Sequence, residues 1–364
     1  MFMKKSFDEV FVDNTKYCTK IKTSDYFEQG EYTIIDQGQN PIAGYTSLQD
    51  GVFNDVPAII FGDHTRIIKY IDEPFFIGAD GVKVLKSKLP NSNYKYLYYA
   101  LKNADIPNTG YNRHFKWLKE VKINYPSSEK QNEIVKILDE VVSIIDCRKQ
   151  QLQQLDELVK ARFVELFGDT IVNPFDWEKD SLGAVCDVRD GTHDSPKYYE
   201  TGYPLVTSKN VTGGKIDLTD CSLICEEDFN KINERSKVDI GDIIMPMIGT
   251  VGKPVIVDIE PNFAIKNVAL IKFKADSRVL NIYIRALLQS DYFDDAVLSK
   301  VRGGTQKFIS LGDIRKLEVL VPPMELQNQF ATFVEQTDKS KFVVQKALDE
   351  AQTLFDSLMQ EYFG

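Results

Sequence analysis

Residues 126–168 read PSSEKQNEIVKILDEVVSIIDCRKQQLQQLDELVKARFVELFG, and residues 322–364 read PPMELQNQFATFVEQTDKSKFVVQKALDEAQTLFDSLMQEYFG. The second stretch repeats the first without a gap, at the offset of 196 positions that separates Gly168 from Gly364. A period of this length excludes a solenoid, whose repeats run about 20–50 residues. The chain therefore consists of one large module followed by one long helix, and this combination occurs twice.

Apolar residues recur in both stretches at alternating steps of four and three, which predicts coiled-coil seams. The seam positions are Ile134, Leu138, Val141, Ile145, Leu152, Leu155 and Val159 in the first copy and Phe330, Val334, Val344, Leu348, Ala351 and Phe355 in the second. Arg148, Thr337 and Lys341 interrupt the seams, and such polar breaks fix the register of a pair. Two matched seams in one chain favour an intramolecular antiparallel coiled coil of helices about 55 Å long. The alternative is that each helix packs only on its own module.

A β-rich module precedes each helix. Short apolar runs predict strands at residues 58–61, 83–85 and 121–125 in the first module and at 242–245, 255–257, 268–273 and 317–321 in the second. The predicted fold class is α+β, with two β-rich domains at 1–127 and 169–322 that alternate with helical regions at 128–168 and 323–364.

Composition bounds the class of protein. The chain has 364 residues, 43% of them hydrophobic, so each module can bury a core. No apolar run approaches the roughly 18–20 residues that a membrane span needs, and acidic residues soon follow the basic start at Lys4-Lys5, which makes a poor signal peptide. Five scattered cysteines fit a reducing compartment better than a disulfide framework. We therefore expect a cytoplasmic protein without a membrane partner.

The net charge of −10 hides an uneven distribution. Residues 113–122 (RHFKWLKEVK) and 300–307 (KVRGGTQK) are basic, while acidic residues concentrate elsewhere, as at 226–228. Local positive patches on an acidic body suit a DNA reader whose non-specific binding is restrained.

Short polar motifs, most of them with glycines, occur in both modules. They are FGDHTR (61–66), ADGV (79–82) and NTGYNRH (108–114) in the first, and GTHDSP (191–196), TSKN (207–210), GDI (241–243), IGTVG (248–252) and GGTQ (303–306) in the second. With the repeated Pro-x-x-Glu-x-Gln junction and the terminal Phe-Gly, this combination resembles the DNA-specificity subunit of type I restriction-modification systems. The resemblance covers essentially the whole chain and rests on the doubled architecture more than on any single motif.

The resemblance implies a subunit without catalysis of its own. Each β-rich module would be a target-recognition domain that reads one half of a bipartite site in double-stranded DNA, and the helices would set the spacing of the halves. Two methyltransferase subunits, which carry S-adenosylmethionine and modify adenine, would dock on the helices. Restriction and translocase subunits would add ATP- and magnesium-dependent steps, so this chain itself needs no cofactor or metal. The repeated motifs place the candidate partner contacts at Gln131, Asn132, Gln327, Asn328, Phe167 and Phe363.

Candidate DNA contacts follow from the chemistry of base reading. Arginine suits guanine, asparagine and glutamine suit adenine, and lysine neutralises phosphate. The candidates in the first module are His64, Thr65, Arg66, Asn112, Arg113, His114, Lys116 and Lys119. Those in the second are Thr192, His193, Lys209, Asn210, Arg302, Thr305, Gln306 and Lys307. Without DNA contact, the same residues would be ordinary polar turns.

The sequence leaves two alternatives to a specificity subunit. The chain could be a stand-alone DNA-binding protein, or a metal-dependent nuclease with an acid-x-Lys core at Asp176, Glu178 and Lys179. No Gly-x-Gly-x-x-Gly fingerprint and no phosphate-binding Gly-Lys-Ser/Thr loop occurs in the sequence. Cys186, His193, Cys221 and Cys225 lack CxxC spacing, so we interpret the cysteines as small core residues rather than zinc ligands.

Overall fold

The structure, a computed structural model, describes residues 3–78, 80–247, 253–296 and 308–364. The chain forms two compact units. Unit 1 contains Met1–Lys149 and Gln345–Gly364, and unit 2 contains Gln150–Val344. Among the described residues, no helix combines the length and the apolar character needed to cross a membrane.

The first module consists of short strands and three short helices. Its elements are β1 Met3–Ser6, α1 Phe7–Val10, β2 Phe11–Asp13, β3 Tyr32–Ile35, β4 Gly44–Thr46, β5 Ala58–Gly62, β6 Ile68–Ile71, β7 Phe75–Ile77, β8 Val82–Ser87, α2 Tyr94–Lys102, α3 Phe115–Leu118 and β9 Lys122–Tyr125, followed by the long helix α4 Ser128–Phe167. One sheet has the order β2-β8-β5-β6, and a second has the order β4-β3-β7. β1 and β9 form a separate two-stranded sheet, and β9 lies directly before α4 in the chain.

The second module has a similar set of elements. They are β10 Glu178–Ser181, α5 Leu182–Val185, β11 Asp187–Asp190, β12 Tyr203–Val206, β13 Val211–Thr212, β14 Lys215–Ile216, β15 Ser222–Ile224, α6 Glu226–Ser236, β16 Ile243–Pro246, β17 Val255–Ile256, β18 Ala264–Ile265, β19 Val268–Lys272, α7 Asn281–Leu287, α8 Asp291–Ala296, α9 Leu311–Arg315 and β20 Glu318–Val321, followed by the long helix α10 Met324–Phe363. The sheets have the orders β11-β19-β16-β17 and β15-β12-β18, with the pairs β10-β20 and β13-β14 beside them.

The two modules repeat one topology. In the four-stranded sheets, β2, β8, β5 and β6 take the places of β11, β19, β16 and β17, and in both three-stranded sheets the central strand has one antiparallel and one parallel neighbour. The register of the two-stranded sheets also repeats. Met3 pairs with Tyr125 in β1-β9, and Glu178 pairs with Val321 in β10-β20. Val321 lies 196 positions after Tyr125, the offset that relates the two long helices. The duplication seen in the helices therefore includes the modules, although their loops differ.

Each long helix contains 40 residues, and its two ends belong to different units. In unit 1, the seam residues Ile134 and Leu138 of α4 share an apolar core with Phe355 and Met359 of α10. In unit 2, the end of α4 shares a core with the start of α10, where Phe163 lies 5.6 Å from Phe330 between ring centres. The predicted α+β architecture with two long helices is confirmed.

Candidate nucleic-acid interface

The turn after β5 is the first predicted reading loop, and its backbone is held from several sides. The Arg66 N–H donates to the carbonyl of Gly62 over 2.7 Å, and Arg66 has a positive φ of 62°. The Thr65 hydroxyl donates to the carbonyl of Gln37 over 2.7 Å. The Arg66 guanidinium donates to the carbonyl of Ile106 over 3.0 Å, so this side chain ties the turn to a neighbouring segment.

Gln37, at the end of β3, joins the turn to a second loop and is absent from the sequence-based candidates. Its Oε1 accepts from the His64 N–H over 3.1 Å, and its Nε2 donates to the carbonyl of Asp80 over 3.0 Å. One side chain thus positions three segments. The sequence signal was the run Asp36-Gln37-Gly38, a polar pair before a glycine that directly follows the apolar pair Ile34-Ile35.

A buried pair, Asp63 and His114, fastens the loop at 107–114 to this turn. The His114 side chain is fully buried. Its backbone N–H donates to the carbonyl of Asp63 over 2.7 Å, its Nδ1 lies 3.0 Å from the same oxygen, and Asp63 Oδ1 accepts from the Phe115 N–H over 2.7 Å. The prediction that His114 contacts DNA does not agree with this burial, because a fully enclosed imidazole cannot reach a groove. His114 instead positions the loop.

The exposed part of the same loop carries the other candidates. Asn112, Arg113, Lys116 and Lys119 are all exposed. Lys116 Nζ lies 4.1 Å from the centre of the Trp117 ring, and Lys119 Nζ lies 5.3 Å from that of Phe115. Arg113 also affects a neighbouring carboxylate. The pKa of Asp80 is lowered mainly by its hydrogen bond with Lys20 and to a smaller extent by the positive charge of Arg113. Three of the predicted cations of the first module, Arg113, Lys116 and Lys119, are thus exposed on α3 or directly beside it.

In the second module, His193 lies in a polar network at the end of β11. Its Nδ1 is 2.9 Å from Asn267 Oδ1, and its Nε2 is 2.8 Å from Asp190 Oδ2. The hydrogen bond with Asn267, followed by that with Asp190, raises the pKa of His193. Arg235 donates to the other oxygen of Asp190 over 2.7 Å. His193 is exposed and Thr192 is half-buried, so His193 is the more accessible of the two.

The loop after β12 separates two further candidates by burial. Lys209 is exposed, which fits a phosphate contact. Asn210 is only 3% exposed, and its Oδ1 accepts from the N–H and the hydroxyl of Thr207, each over 3.0 Å. The prediction of a base contact for Asn210 does not agree with this burial, because its amide closes the turn instead.

The candidates Arg302, Thr305, Gln306 and Lys307 lie outside the described residues. Ile309, two residues after the segment, donates its N–H to the carbonyl of Met247 over 2.9 Å. His114 donates in the same way to Asp63, and Met247 follows β16 as Asp63 follows β5. Ile309 therefore corresponds to His114, and the basic segment precedes Ile309 in the chain as Asn112 and Arg113 precede His114.

The two glutamines of the repeated junction are buried capping residues. Gln131 Oε1 accepts from the N–H of Asn93, the residue before α2, over 3.1 Å, and Gln327 Oε1 accepts from the N–H of Leu280, the residue before α7, over 2.8 Å. Both side chains have no exposed area. The prediction that they contact a partner is thus opposed by their burial. Asn132 and Asn328, one residue further on, are exposed.

The terminal phenylalanines also have an internal role. Phe167 is 1% exposed, and its ring centre lies 4.8 Å from that of Tyr283. Phe363 is half-buried, 5.2 Å from Tyr96. Tyr96 and Tyr283 occupy matching places, since their hydroxyls donate to the carbonyls of Asn124 and Leu320, which are 196 positions apart. Phe167 is therefore a core residue rather than a surface for a partner.

The acid-x-Lys nuclease core proposed as an alternative is not formed. Glu178 and Lys179 are neighbours in β10, so their side chains point to opposite faces. Glu178 pairs with Arg278 over 2.6 Å, and Lys179 pairs with Glu318 over 2.9 Å.

The structure also opposes a zinc-binding role for Cys186. Burial raises the pKa of the Cys186 thiol to about 12, which keeps it protonated and disfavours metal binding.

Comparison with known proteins identifies the family. The sequence model described as the type I restriction modification DNA specificity domain matches the chain twice, at residues 2–157 and 174–351. The chain belongs to this family. Its two matches begin within the two β-rich modules and extend into the long helices, so the repeated unit of the family is a module with most of the helix that follows it.

Individual members of the specificity family are distant relatives. The chain is 25% identical over 290 residues to the type I restriction enzyme MjaVIII specificity subunit of Methanocaldococcus jannaschii, an alignment that covers 72% of this chain and 68% of the relative. It is 21% identical over 278 residues to the EcoBI specificity subunit of Escherichia coli, with 68% of this chain and 58% of the relative covered.

Solved structures of the family show the same fold. The S subunit of a type I restriction-modification system from M. genitalium matches with a TM-score of 0.60 at 17% identity, over 100% of this chain and 96% of that one. A chain from a study of complex assembly in the type I restriction-modification system matches with a TM-score of 0.56, also at 17% identity, over 100% of this chain and 97% of the other.

Proposed function

We propose that this chain gives sequence specificity to a type I restriction-modification complex, with each module reading one half of a bipartite site in double-stranded DNA. The observation that carries the proposal is the repeated topology, in which one scaffold presents two sets of different polar loops. A repeated scaffold with divergent loops is suited to two related but distinct targets. Two identical half-sites would require no such divergence.

The electrostatics of the first module support this role. Arg113, Lys116 and Lys119 are exposed at or beside the 107–114 loop, where cations can position a DNA backbone and an arginine can reach a guanine edge. The net charge of −10 restrains non-specific binding elsewhere on the surface. His114, Asp63 and Gln37 hold the reading loops, so a rigid framework stands behind the exposed cations.

The helices are proposed to pair as an antiparallel coiled coil that fixes the spacing of the half-sites. Supporting contacts occur within each unit. In unit 2, Lys341 of α10, a polar seam position, forms an ion pair with Asp156 of α4 over 2.6 Å. In unit 1, Phe355 packs in the core that contains Ile134. A helix of 40 residues spans about 60 Å, which is long enough to separate half-sites by more than one turn of DNA.

Catalysis is assigned to partner subunits. Methyltransferase subunits, two in number, would carry S-adenosylmethionine and dock on the helices, and restriction and translocase subunits would use ATP and magnesium. This chain would bind no cofactor of its own and would act in the cytoplasm. A stand-alone DNA-binding role is the competing proposal, and it differs in requiring no methyltransferase partner.

Mapping N6-methyladenine across the genome of the source organism, with and without the gene, tests the proposed function. We expect a bipartite motif whose methylation disappears when the gene is removed. Unchanged methylation would contradict the proposal. Methylation restored by a copy with an altered second module should show a motif changed in one half only.

Docking on the helices is tested with point variants. Deleting residues 323–364 would remove core residues from both units, so loss of binding after such a deletion would be uninformative. Phe342 and Val343 of α10 are 72% and 65% exposed, an apolar pair suited to a partner. The double change to serine should weaken co-purification of the methyltransferase, whereas Lys346→Ser should not. Equal retention by both variants would exclude this pair from the docking surface.

A further inference from the structure

Tyr111 is exposed in the 107–114 loop and is not one of the DNA contacts predicted from the sequence. Its side chain is 86% exposed. It follows Gly110, whose φ of +76° lets the chain turn outward, and it precedes Asn112 and Arg113, the two exposed candidates for base reading. An aromatic ring this exposed is accessible to a ligand, and a ligand that covers it removes apolar surface from water.

One face of the Tyr111 ring is already covered. It stacks on the His64 imidazole, with ring centres 4.7 Å apart and planes inclined by 8°. The stack fixes the plane of Tyr111 and leaves the opposite face toward solvent. Because the ring is ordered before any ligand binds, less side-chain entropy is lost on binding.

His64 is itself held from behind. Its backbone N–H donates to Gln37 Oε1 over 3.1 Å. A Cβ atom added to Gly81, which has a φ of +90°, would lie 2.8 Å from His64 Cδ2 and 2.9 Å from Gln37 Oε1. Only a residue without a side chain fits at position 81 beside this imidazole. Gly81 and Gln37 thus lie next to His64, and His64 supports the exposed Tyr111 ring.

The chemistry of DNA indicates what would cover it. In an intact duplex the faces of the bases are stacked on their neighbours, so an aromatic ring in the major groove meets base edges. The apolar group on those edges is the C5-methyl group of thymine, which apolar side chains recognise. Asn112 and Arg113 beside it suit adenine and guanine.

We propose that Tyr111 reads the C5-methyl group of a thymine in the half-site of the first module, with His64 as its backing ring. This inference rests on the proposed function of the chain. The uncharged Tyr111 would then discriminate thymine from other bases, beside Asn112 and Arg113, which suit adenine and guanine.

Uracil substitution tests the proposal, since uracil differs from thymine only in lacking this methyl group. The full chain with its methyltransferase subunits is titrated with duplexes of the mapped site in which each thymine of the half-site is replaced in turn. We expect one replacement to weaken binding about three- to tenfold, the scale of one buried methyl group. Tyr111→Ala should bind that duplex and the thymine duplex equally. Tyr111→Phe should keep the difference.

A matched control is Tyr17→Ala, which removes a tyrosine of the same module that is 64% exposed. It should retain the wild-type preference for thymine. Two results would overturn the inference and leave the proposed function intact. One is wild-type protein that binds every uracil-substituted duplex as tightly as the thymine duplex. The other is a Tyr111→Ala variant that still binds the uracil duplex more weakly. A Tyr111-dependent rise in 2-aminopurine fluorescence would also overturn it, since that signal reports an unstacked base. Failure to prefer any bipartite site would instead refute the proposed function.

Discussion

Replacing Gln327 by leucine tests whether the repeated junction is a structural cap. The glutamine has no exposed area and makes three hydrogen bonds. Its Oε1 accepts from the Leu280 N–H over 2.8 Å, and its Nε2 donates to the carbonyls of Pro322 over 2.8 Å and Arg278 over 3.0 Å. Leucine keeps most of the volume but leaves these backbone groups unpaired. At roughly 1 kcal/mol for each bond, the expected loss is about 3 kcal/mol in the free energy of unfolding of unit 2. That corresponds to a fall of about 6–12 °C in Tm.

The first copy offers an internal comparison. Gln131 makes two such bonds, from Asn93 N–H and to the carbonyl of Pro126, each over 3.1 Å. Gln131→Leu should therefore cost unit 1 about 2 kcal/mol. Asn328→Ala, beside Gln327 but exposed, is the matched control and should change stability by less than about 0.5 kcal/mol.

The two tryptophans of the chain make the assay specific, because Trp117 belongs to unit 1 and Trp177 to unit 2. In a Trp117→Phe background, fluorescence during urea unfolding reports unit 2, and Trp177→Phe gives the complementary probe. A loss below about 1 kcal/mol for Gln327→Leu would refute the capping argument. Loss of methyltransferase binding at unchanged stability would support a partner contact at this residue instead.

Three further outcomes are expected. Arg113→Ala should weaken or relax recognition of one half-site by about 1–3 kcal/mol, measured with duplexes altered in each half, and loss at both halves would contradict modular reading. The raised pKa of His193 means that its protonated form favours the folded state, so this stabilisation is complete below the ordinary value of 6.5 and is lost as pH rises through the folded pKa. His193→Gln should flatten the pH dependence of the urea midpoint in that window, and an unchanged slope would oppose the assignment. Purified chain with magnesium should leave duplex DNA intact because the acidic strand β10 is held in ion pairs, and cleavage would restore the nuclease alternative.

The sequence predicted the long helices well because their periodicity is a local property. The seam positions define helices at 128–168 and 323–364, and the structure has them at 128–167 and 324–363. The matching sheet topologies were not predicted. Sheet order depends on contacts between distant strands, and the loops that connect those strands have diverged.

Burial opposes the recognition roles predicted from the sequence for several polar residues, and the physical reason is shared. His114, Asn210, Gln131 and Gln327 are of types that suit recognition, yet all four are buried. A polar side chain that satisfies buried backbone groups has the same chemistry as one that reads a ligand, and only burial distinguishes them. Gln37 lies outside the polar motifs named from the sequence, and Tyr111, inside NTGYNRH, lacks the paired donors and acceptors that suit guanine or adenine.

The division of the chain into units has a consequence for the order of folding during synthesis. Unit 2 is one continuous stretch, 150–344, inserted between the two parts of unit 1. A ribosome that makes the chain from the N-terminus completes unit 2 while Phe355 and Met359 have yet to appear. The core around Ile134 must therefore wait, partly uncovered, until the rest of the chain has emerged. Folding of unit 1 therefore depends on residues 345–364, which follow unit 2 in the chain, whereas unit 2 does not include them.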